Sequence, residues 1–234
     1  MLQFYYSISN YTYGDSKWKD SLTALDGHSI TYDDIGNPLT YYNGTDWTFT
    51  WANGRNLATA TGGDKTISYT YDSEGLRTTK IINGEEHTYI YLGGQLVEER
   101  WGTNNYLLFT YDEQGRPYSV NYNGGQYYYV LNQQGDVIRI VAGDGTIRAE
   151  YRYNAWGEVE ETENSAWLGK INPLRYRGYY YDSESGLYYL NTRYYDLSIG
   201  RFISTDNALS GIGGDVRGYN MFSYCFTPVY NFLI

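Results

Sequence analysis

The stretch Thr66-Ile67-Ser68-Tyr69-Thr70-Tyr71-Asp72-Ser73-Glu74-Gly75-Leu76-Arg77 decides the fold. Its first half alternates: Ile67, Tyr69 and Tyr71 fall on one face and the hydroxyl residues on the other, the period-two signature of a half-buried strand. Its second half is a turn, with an Asp able to accept a backbone amide and a Gly able to take positive φ. The turn recurs as Tyr32-Asp33-Asp34-Ile35-Gly36-Asn37 and as Tyr111-Asp112-Glu113-Gln114-Gly115-Arg116. Weaker copies are Trp51-Ala52-Asn53-Gly54-Arg55, Tyr91-Leu92-Gly93-Gly94, Leu131-Asn132-Gln133-Gln134-Gly135-Asp136 and Tyr153-Asn154-Ala155-Trp156-Gly157-Glu158. The glycines at 36, 54, 75, 94, 115, 135 and 157 are spaced by 18 to 22 residues, a pitch that marks a repeat architecture. Ile147-Arg148-Ala149-Glu150-Tyr151-Arg152-Tyr153 alternates in the same way, with Arg148, Glu150 and Arg152 toward water.

A unit of about twenty residues is two strands and two turns. Such a hairpin cannot bury its aromatic face alone, so the units must stack along a shared aromatic stripe. The predicted class is all-β: stacked hairpin repeats in a curved, spiralling antiparallel sheet. The composition agrees, with 31 Tyr and 27 Gly against 4 Pro and 2 Met in 234 residues.

Charge and composition exclude several functions. Lys and Arg total 17 against 27 Asp and Glu, a net charge of −10, opposite in sign to what phosphate neutralisation or a basic membrane-surface helix requires. No nucleic-acid partner is expected. The single cysteine, Cys225, allows no intrachain disulfide, and with only His28 and His87 besides, no metal or other cofactor is expected. No run reaches the roughly 18 apolar residues of a membrane span, and the N-terminus lacks the basic and apolar regions of a signal peptide.

From Asn172 the pitch tightens. Two more Tyr-Asp-x-x-x-Gly turns, Tyr181-Asp182 to Gly186 and Tyr195-Asp196 to Gly200, lie only 14 residues apart by their glycines. The run from Arg175 to Asp206, RYRGYYYDSESGLYYLNTRYYDLSIGRFISTD, resembles the RHS repeat-associated core domain. The upstream units resemble the YD repeats of the same bacterial family. The resemblance divides the chain into YD/RHS repeats over 1–171, the core over 172–225 and a divergent tail over 226–234. It implies a β-shell that encloses a C-terminal toxin, as in insecticidal toxin complexes and polymorphic toxins, from a secreted or cell-surface protein. The partners it implies are the rest of the shell and the enclosed toxin. Eukaryotic teneurins resemble the shell without toxin delivery.

In many members the core cuts the toxin free as an aspartyl protease, and here the resemblance maps the first acid onto Asp206 and a supporting arginine onto Arg201. The second acid should follow Pro228-Val229, where the chain instead reads Tyr230-Asn231-Phe232. An aspartic mechanism needs two carboxylates sharing a proton, so no self-cleavage is expected. The chain begins inside a repeat and ends without a toxin, as a fragment would. A fragment of the sheet leaves two edge strands and part of the inner aromatic face open, which invites self-association.

The remaining motifs read as structural. Asp182 and Asp196 are turn acids by pattern. Arg175, Arg177 and Arg193, alternating with tyrosines, lie across neighbouring rings. Tyr127-Tyr128-Tyr129 and Tyr179-Tyr180-Tyr181 pack one face in the stripe. Cys225 is a small buried apolar residue, and Gly211-Ile212-Gly213-Gly214 lacks the Lys-Ser/Thr of a phosphate loop. The sequons at Asn10 and Asn43 carry little weight in a bacterial chain. Two rival functions are an autoprotease and a cell-wall or carbohydrate-binding repeat module. The latter class is Trp-rich at its repeat glycines, whereas only Trp156 adjoins one here.

Overall fold

A computed structural model describes residues 9–16, 19–160, 167–205, 221–222 and 224. Three short strands, β1 (Tyr11–Tyr13), β2 (Leu22–Leu25) and β3 (His28–Ser29), form a small sheet at the start. The main sheet follows in unbroken order: β4 (Thr31–Tyr32), β5 (Pro38–Tyr42), β6 (Asp46–Ala52), β7 (Asn56–Gly62), β8 (Lys65–Tyr71), β9 (Arg77–Ile82), β10 (Glu85–Leu92), β11 (Gln95–Trp101), β12 (Asn105–Tyr111), β13 (Pro117–Tyr122), β14 (Gly125–Leu131), β15 (Val137–Ala142) and β16 (Ile147–Glu150). It is a 13-stranded antiparallel meander that does not close. The pair β17 (Arg152–Tyr153) and β18 (Val159–Glu160) comes next, then a helix α1 (Trp167–Ile171). A four-stranded sheet follows: β19 (Tyr180–Asp182), β20 (Leu187–Tyr189), β21 (Tyr194–Asp196) and β22 (Arg201–Phe202).

Each unit is built from its repeat. In the turns after Tyr32, Tyr71 and Tyr111, the Asp carboxylate accepts the amides of the second and fourth residues on, as Asp72 does from Glu74 and Leu76 at 2.9 Å each. Asn132 and Asn154 do the same with their side-chain carbonyls, so the weaker copies keep the turn while exchanging the charge. The partner four residues on exchanges in step. Asp112 faces Arg116 and Asp33 faces Asn37, while Asn132 faces Asp136 and Asn154 faces Glu158.

The tyrosine before the Asp has its own task. It sits at a strand irregularity, where the ladder slips between Thr70 and Tyr71 and at the equivalent place in the neighbouring units. From there its hydroxyl donates to a backbone carbonyl of the preceding unit. Tyr32 reaches Leu22, Tyr71 reaches Leu57, Tyr111 reaches Leu96 and Tyr153 reaches Val137, at 2.7–3.1 Å. Trp51, in the same place, uses its indole N–H on Pro38. The repeat tyrosine is thus a latch from one hairpin to the one before.

The inner face carries the core: Trp47, Phe49, Ile67, Tyr69, Tyr89, Leu107, Phe109 and Tyr129 are buried. The outer face carries hydroxyls paired across strands, such as Thr50 with Thr59 and Thr70 with Thr79 at 2.6 Å each. Two expectations are corrected. The strand expected to run from Ile147 to Tyr153 breaks at Tyr151, whose amide donates to the Ile138 carbonyl, and Ile147 is exposed because β16 meets β15 through another slip in register. The inner aromatic face, expected to lie partly open, is covered over its middle by the four-stranded sheet. The edges are flanked too: β2 accepts the Ile30 amide and the Tyr32 hydroxyl at one end, and α1 packs beside β16 at the other.

Candidate functional site

The seam between the main sheet and the C-terminal sheet brings together the buried charged side chains Arg77, Lys80, Glu99 and Asp182. Aligning the repeats places Pro38, Leu57, Arg77, Leu96, Pro117 and Val137 in one buried column, and Tyr41, Ala60, Lys80, Glu99, Val120 and Ile140 in the next. Arg77, Lys80 and Glu99 therefore stand in columns that are apolar elsewhere. Each meets a residue of the C-terminal sheet or of the turn that follows β19.

Arg77 grips Asp182 with two guanidinium nitrogens, Nη1 at 2.6 Å and Nη2 at 3.1 Å, and both side chains are buried. Lys80 bridges Asp182 at 2.8 Å and Glu184 at 2.5 Å. The Arg77 guanidinium also lies 4.4–5.5 Å from the ring centres of Tyr69, Tyr89, Tyr180 and Tyr189. Burial alone would raise the Asp182 carboxyl, but the two cations reverse this and hold it at about 2. Burial raises Glu184, with Lys80 opposing and Asp182 adding to the rise. Both cations stay charged: burial works against them, and Asp182 more than compensates. Glu99 accepts the Tyr180 hydroxyl at 2.9 Å and pairs with His87 Nδ1 at 2.8 Å, while His87 stacks on Trp101.

The acid that the turn pattern predicted at Asp182 is thereby corrected. Its backbone carbonyl closes the turn, accepting the Ser185 and Gly186 amides, but its carboxylate leaves the turn for the main sheet. Asp196 divides its carboxylate: one oxygen accepts the Ser198 amide at 2.8 Å, the other accepts the buried Tyr41 hydroxyl at 2.8 Å. Burial raises the Asp196 carboxyl against those hydrogen bonds.

The other predicted residues fall as follows. Asp33, Asp72 and Asp112 each close their own turns, and Gly36, Gly75, Gly115, Gly186 and Gly200 all take positive φ. Gly36 carries a further demand, since a Cβ there would lie 2.4 Å from the Thr205 side chain. Tyr181 and Tyr195 pack within the second aromatic cluster around Tyr188 and Tyr176. Arg175 lies over Tyr151 and Tyr181, Arg177 over Tyr176 and Arg193 over Phe202, as arginines on rings. The Asn43 amide donates to the Ser185 carbonyl, so that sequon is occupied by the seam.

Of the two protease candidates, Arg201 alone falls among the described residues. Asp206, Cys225 and Gly211 to Gly214 lie outside them. Arg201 donates to the Tyr13 hydroxyl at 3.0 Å and to the Asp20 carbonyl at 2.7 Å, tying the C-terminal sheet to the start of the chain. Thr205 docks on the first repeat turn, its hydroxyl donating to the Ile35 carbonyl and its backbone carbonyl accepting Arg55. Among the described residues no group of three or more His, Cys, Asp or Glu side chains could hold a metal ion. Among the described residues no helix is long and apolar enough to cross a membrane. What the seam can do chemically is bind: its buried ions pair with one another, with Arg77 Nε left without an acceptor, and hold two sheets in one register.

Comparisons with known proteins place this geometry. The sequence matches the teneurin YD-shell family over residues 100–227. It is 38% identical over 211 residues to the tRNA nuclease WapA of Bacillus subtilis (strain 168), an overlap of 88% of this chain and 9% of that protein. It is 39% identical over 79 residues to double-stranded DNA deaminase toxin A of Burkholderia cenocepacia (strain H111), covering 33% of this chain and 5% of that one. Among solved structures, the TcdB2–TccC3 crystal structure superposes with a TM-score of 0.66 at 18% identity, over 93% of this chain and 13% of that chain. The Photorhabdus luminescens Tc holotoxin pore gives 0.65 at 18% identity, over 93% and 12%. The chain spans about a tenth of the length of these larger proteins.

Proposed function

The chain belongs to the teneurin YD-shell family, and from that premise we propose that it is a structural segment of a toxin-enclosing β-shell. In this reading residues 1–171 are shell wall, 172–225 are the core that caps it and 226–234 are tail. The partners are the remainder of the shell and an enclosed toxin, and the setting is the cell surface or the exterior. The observation that carries the proposal is the charged seam. Arg77 and Lys80 replace apolar residues of the wall only where the core seats Asp182 and Glu184. Buried charge of this kind adds little net stability over an apolar seam but penalises every misdocked register with an unpaired ion. A wall that must be capped in one place has use for that penalty.

Protease protection tests the proposal in the parent protein that carries this segment. A polypeptide held inside the shell resists trypsin, and Asp182→Ala renders it digestible. Equal digestion with and without the substitution overturns the reading. The segment itself does not cut its own chain in this reading, so its intact mass stays at 27.0 kDa on incubation. Retention on insoluble peptidoglycan would instead favour the wall-binding module.

A further inference from the structure

Two units break the latch series: Leu131 has no side-chain donor, whereas Tyr91 has one that it does not use, and a cavity opens beside Tyr91. Tyr91 occupies the same slipped position as Tyr71 and Tyr111, opposite Leu96. By the spacing of the series its hydroxyl would clip the Arg77 carbonyl. Among the described residues it makes no hydrogen bond, while Tyr32, Trp51, Tyr71, Tyr111 and Tyr153 all make theirs. Arg77 is the residue drawn into the seam, and its amide is taken by the Tyr189 hydroxyl at 3.1 Å. A cavity of about 350 Å³ lies here, between the turns at Gly94 and Gly115 and the C-terminal sheet.

Its lining is unlike the other seam cavity, of about 180 Å³, which is walled by Lys80, His87, Glu99, Lys170 and Glu184. The larger cavity has no charged side chain in its lining. Its walls include Tyr91, Tyr111, Tyr180, Tyr189, Leu174 and Leu190, and its polar side chains besides the tyrosines are the amides of Gln95 and Asn191. We propose that this cavity is a binding site for a neutral aromatic ring. Tyrosine walls favour ring contacts, edge-to-face or offset. A charged ligand would lose its hydration with no counter-ion in the lining to meet it, the Arg77 guanidinium behind Tyr180 and Tyr189 being committed to Asp182. A single polar atom on the ring finds the spare Tyr91 hydroxyl, the pattern of an apolar pocket with a few polar contacts. The ring belongs to a small free molecule or to an aromatic side chain of an enclosed polypeptide. The site stands on the cavity and the unlatched Tyr91; only the enclosed-polypeptide source rests on the proposed shell function.

The test is an NMR titration of the whole chain with indole, with benzoate as the anionic control and N-acetyltryptophanamide as the side-chain analogue. Indole saturates one site, shifting signals of Tyr91, Gly94 and Leu190, and benzoate binds at least about ten-fold more weakly. Leu190→Trp fills the cavity and ends binding, and Tyr91→Phe weakens it by about two- to ten-fold. Binding of the analogue alongside indole assigns the site to a polypeptide side chain; indole alone assigns it to a free molecule. The proposal is overturned if indole shows no saturable site, if benzoate binds equally, or if folded Leu190→Trp still binds. Should Leu190→Trp not fold, the wild-type titration decides: shifts away from Tyr91, Gly94 and Leu190 overturn the proposal.

Discussion

Two regions of the molecule use nearly the same phrase to opposite ends: Tyr-Asp-x-x-Gly in the repeat wall and Tyr-Asp-x-x-x-Gly, one residue longer, in the C-terminal sheet. In the repeat wall the shorter phrase is a local device: the Asp72 carboxylate closes its own turn and the Tyr71 hydroxyl latches the neighbouring hairpin. In the C-terminal sheet, Asp182 leaves its turn to backbone bonds and sends its carboxylate across the interface to residues more than a hundred positions away. Tyr181 makes no such latch; it packs against Tyr188 under the Arg175 guanidinium. The difference teaches that the motif specifies a turn, while the column the turn faces specifies what the acid does. Facing water, it stays at home. Facing Arg77 and Lys80, it is pulled into the core.

The largest expected effect breaks that comparison if it fails. Asp182→Ala strands two buried cations and costs about 3–5 kcal/mol of unfolding free energy, by urea denaturation. Asp72→Ala, in the shorter wall phrase, costs about 1 kcal/mol, because water replaces the lost turn bonds. Equal losses would mean that Asp182 is only another turn acid. Next in size are two turn glycines of the wall. A Cβ on Gly157 would lie 2.6 Å from the Tyr176 ring, whereas one on Gly135 would meet nothing within 4 Å; both residues have φ near +90°. Gly135→Ala costs the backbone strain alone, about 1–2 kcal/mol. Gly157→Ala adds overpacking of about 1–3 kcal/mol, because that turn is pressed against the C-terminal sheet. The thermal midpoints of the two variants separate accordingly.

The wall was legible in the sequence because its rules are local. Pitch, turn chemistry and period-two alternation all act within one hairpin, and the far-end turns were also in plain text as Asn83-Gly84 and Asn123-Gly124, each with both residues at positive φ. The latch was half legible: the tyrosine column could be read, its acceptor carbonyl could not, because the acceptor depends on how hairpins stack. The seam was missed although a signal existed. Lining up the units puts Arg77, Lys80 and Glu99 where Leu57, Ala60 and Val120 stand in their neighbours, and a charge in an apolar column requires a partner. Which acid supplies it is a long-range fact. Asp182 and Asp196 look alike in text, yet one meets Arg77 and Lys80 and the other meets Tyr41.

The latch gives a smaller and cleaner contrast. Tyr111→Phe removes a hydrogen bond to a strand carbonyl and costs about 1 kcal/mol. Tyr91→Phe, at the unlatched position, leaves stability within about 0.5 kcal/mol of the parent. A matched loss at both would mean that Tyr91 is latched in solution and that the column is uniform.

The smallest expected effect lies in the pH dependence, where the two acids of the seam pull in opposite directions. Asp182 is held below its unfolded value, so the stability it contributes is present above about pH 3.9 and is lost as pH falls toward about 2. Glu184 is raised, so its contribution is present below the ordinary glutamate value and is lost as pH climbs through the raised one. Between the two windows, in mild acid, both acids favour the folded state at once. The stability of the wild-type chain relative to Glu184→Gln therefore rises on acidification from neutrality, passing through the raised Glu184 value. Relative to Asp182→Asn, it falls below about pH 4. Urea midpoints across pH 2.5 to 7.5 read both slopes. If Glu184→Gln parallels the parent throughout, Glu184 titrates as a surface acid and the seam reduces to the Arg77–Lys80–Asp182 triad. If it diverges toward neutral pH, the seam contains one acid that the cations hold charged and one that burial works to neutralise. No acid closing a turn in water meets that environment.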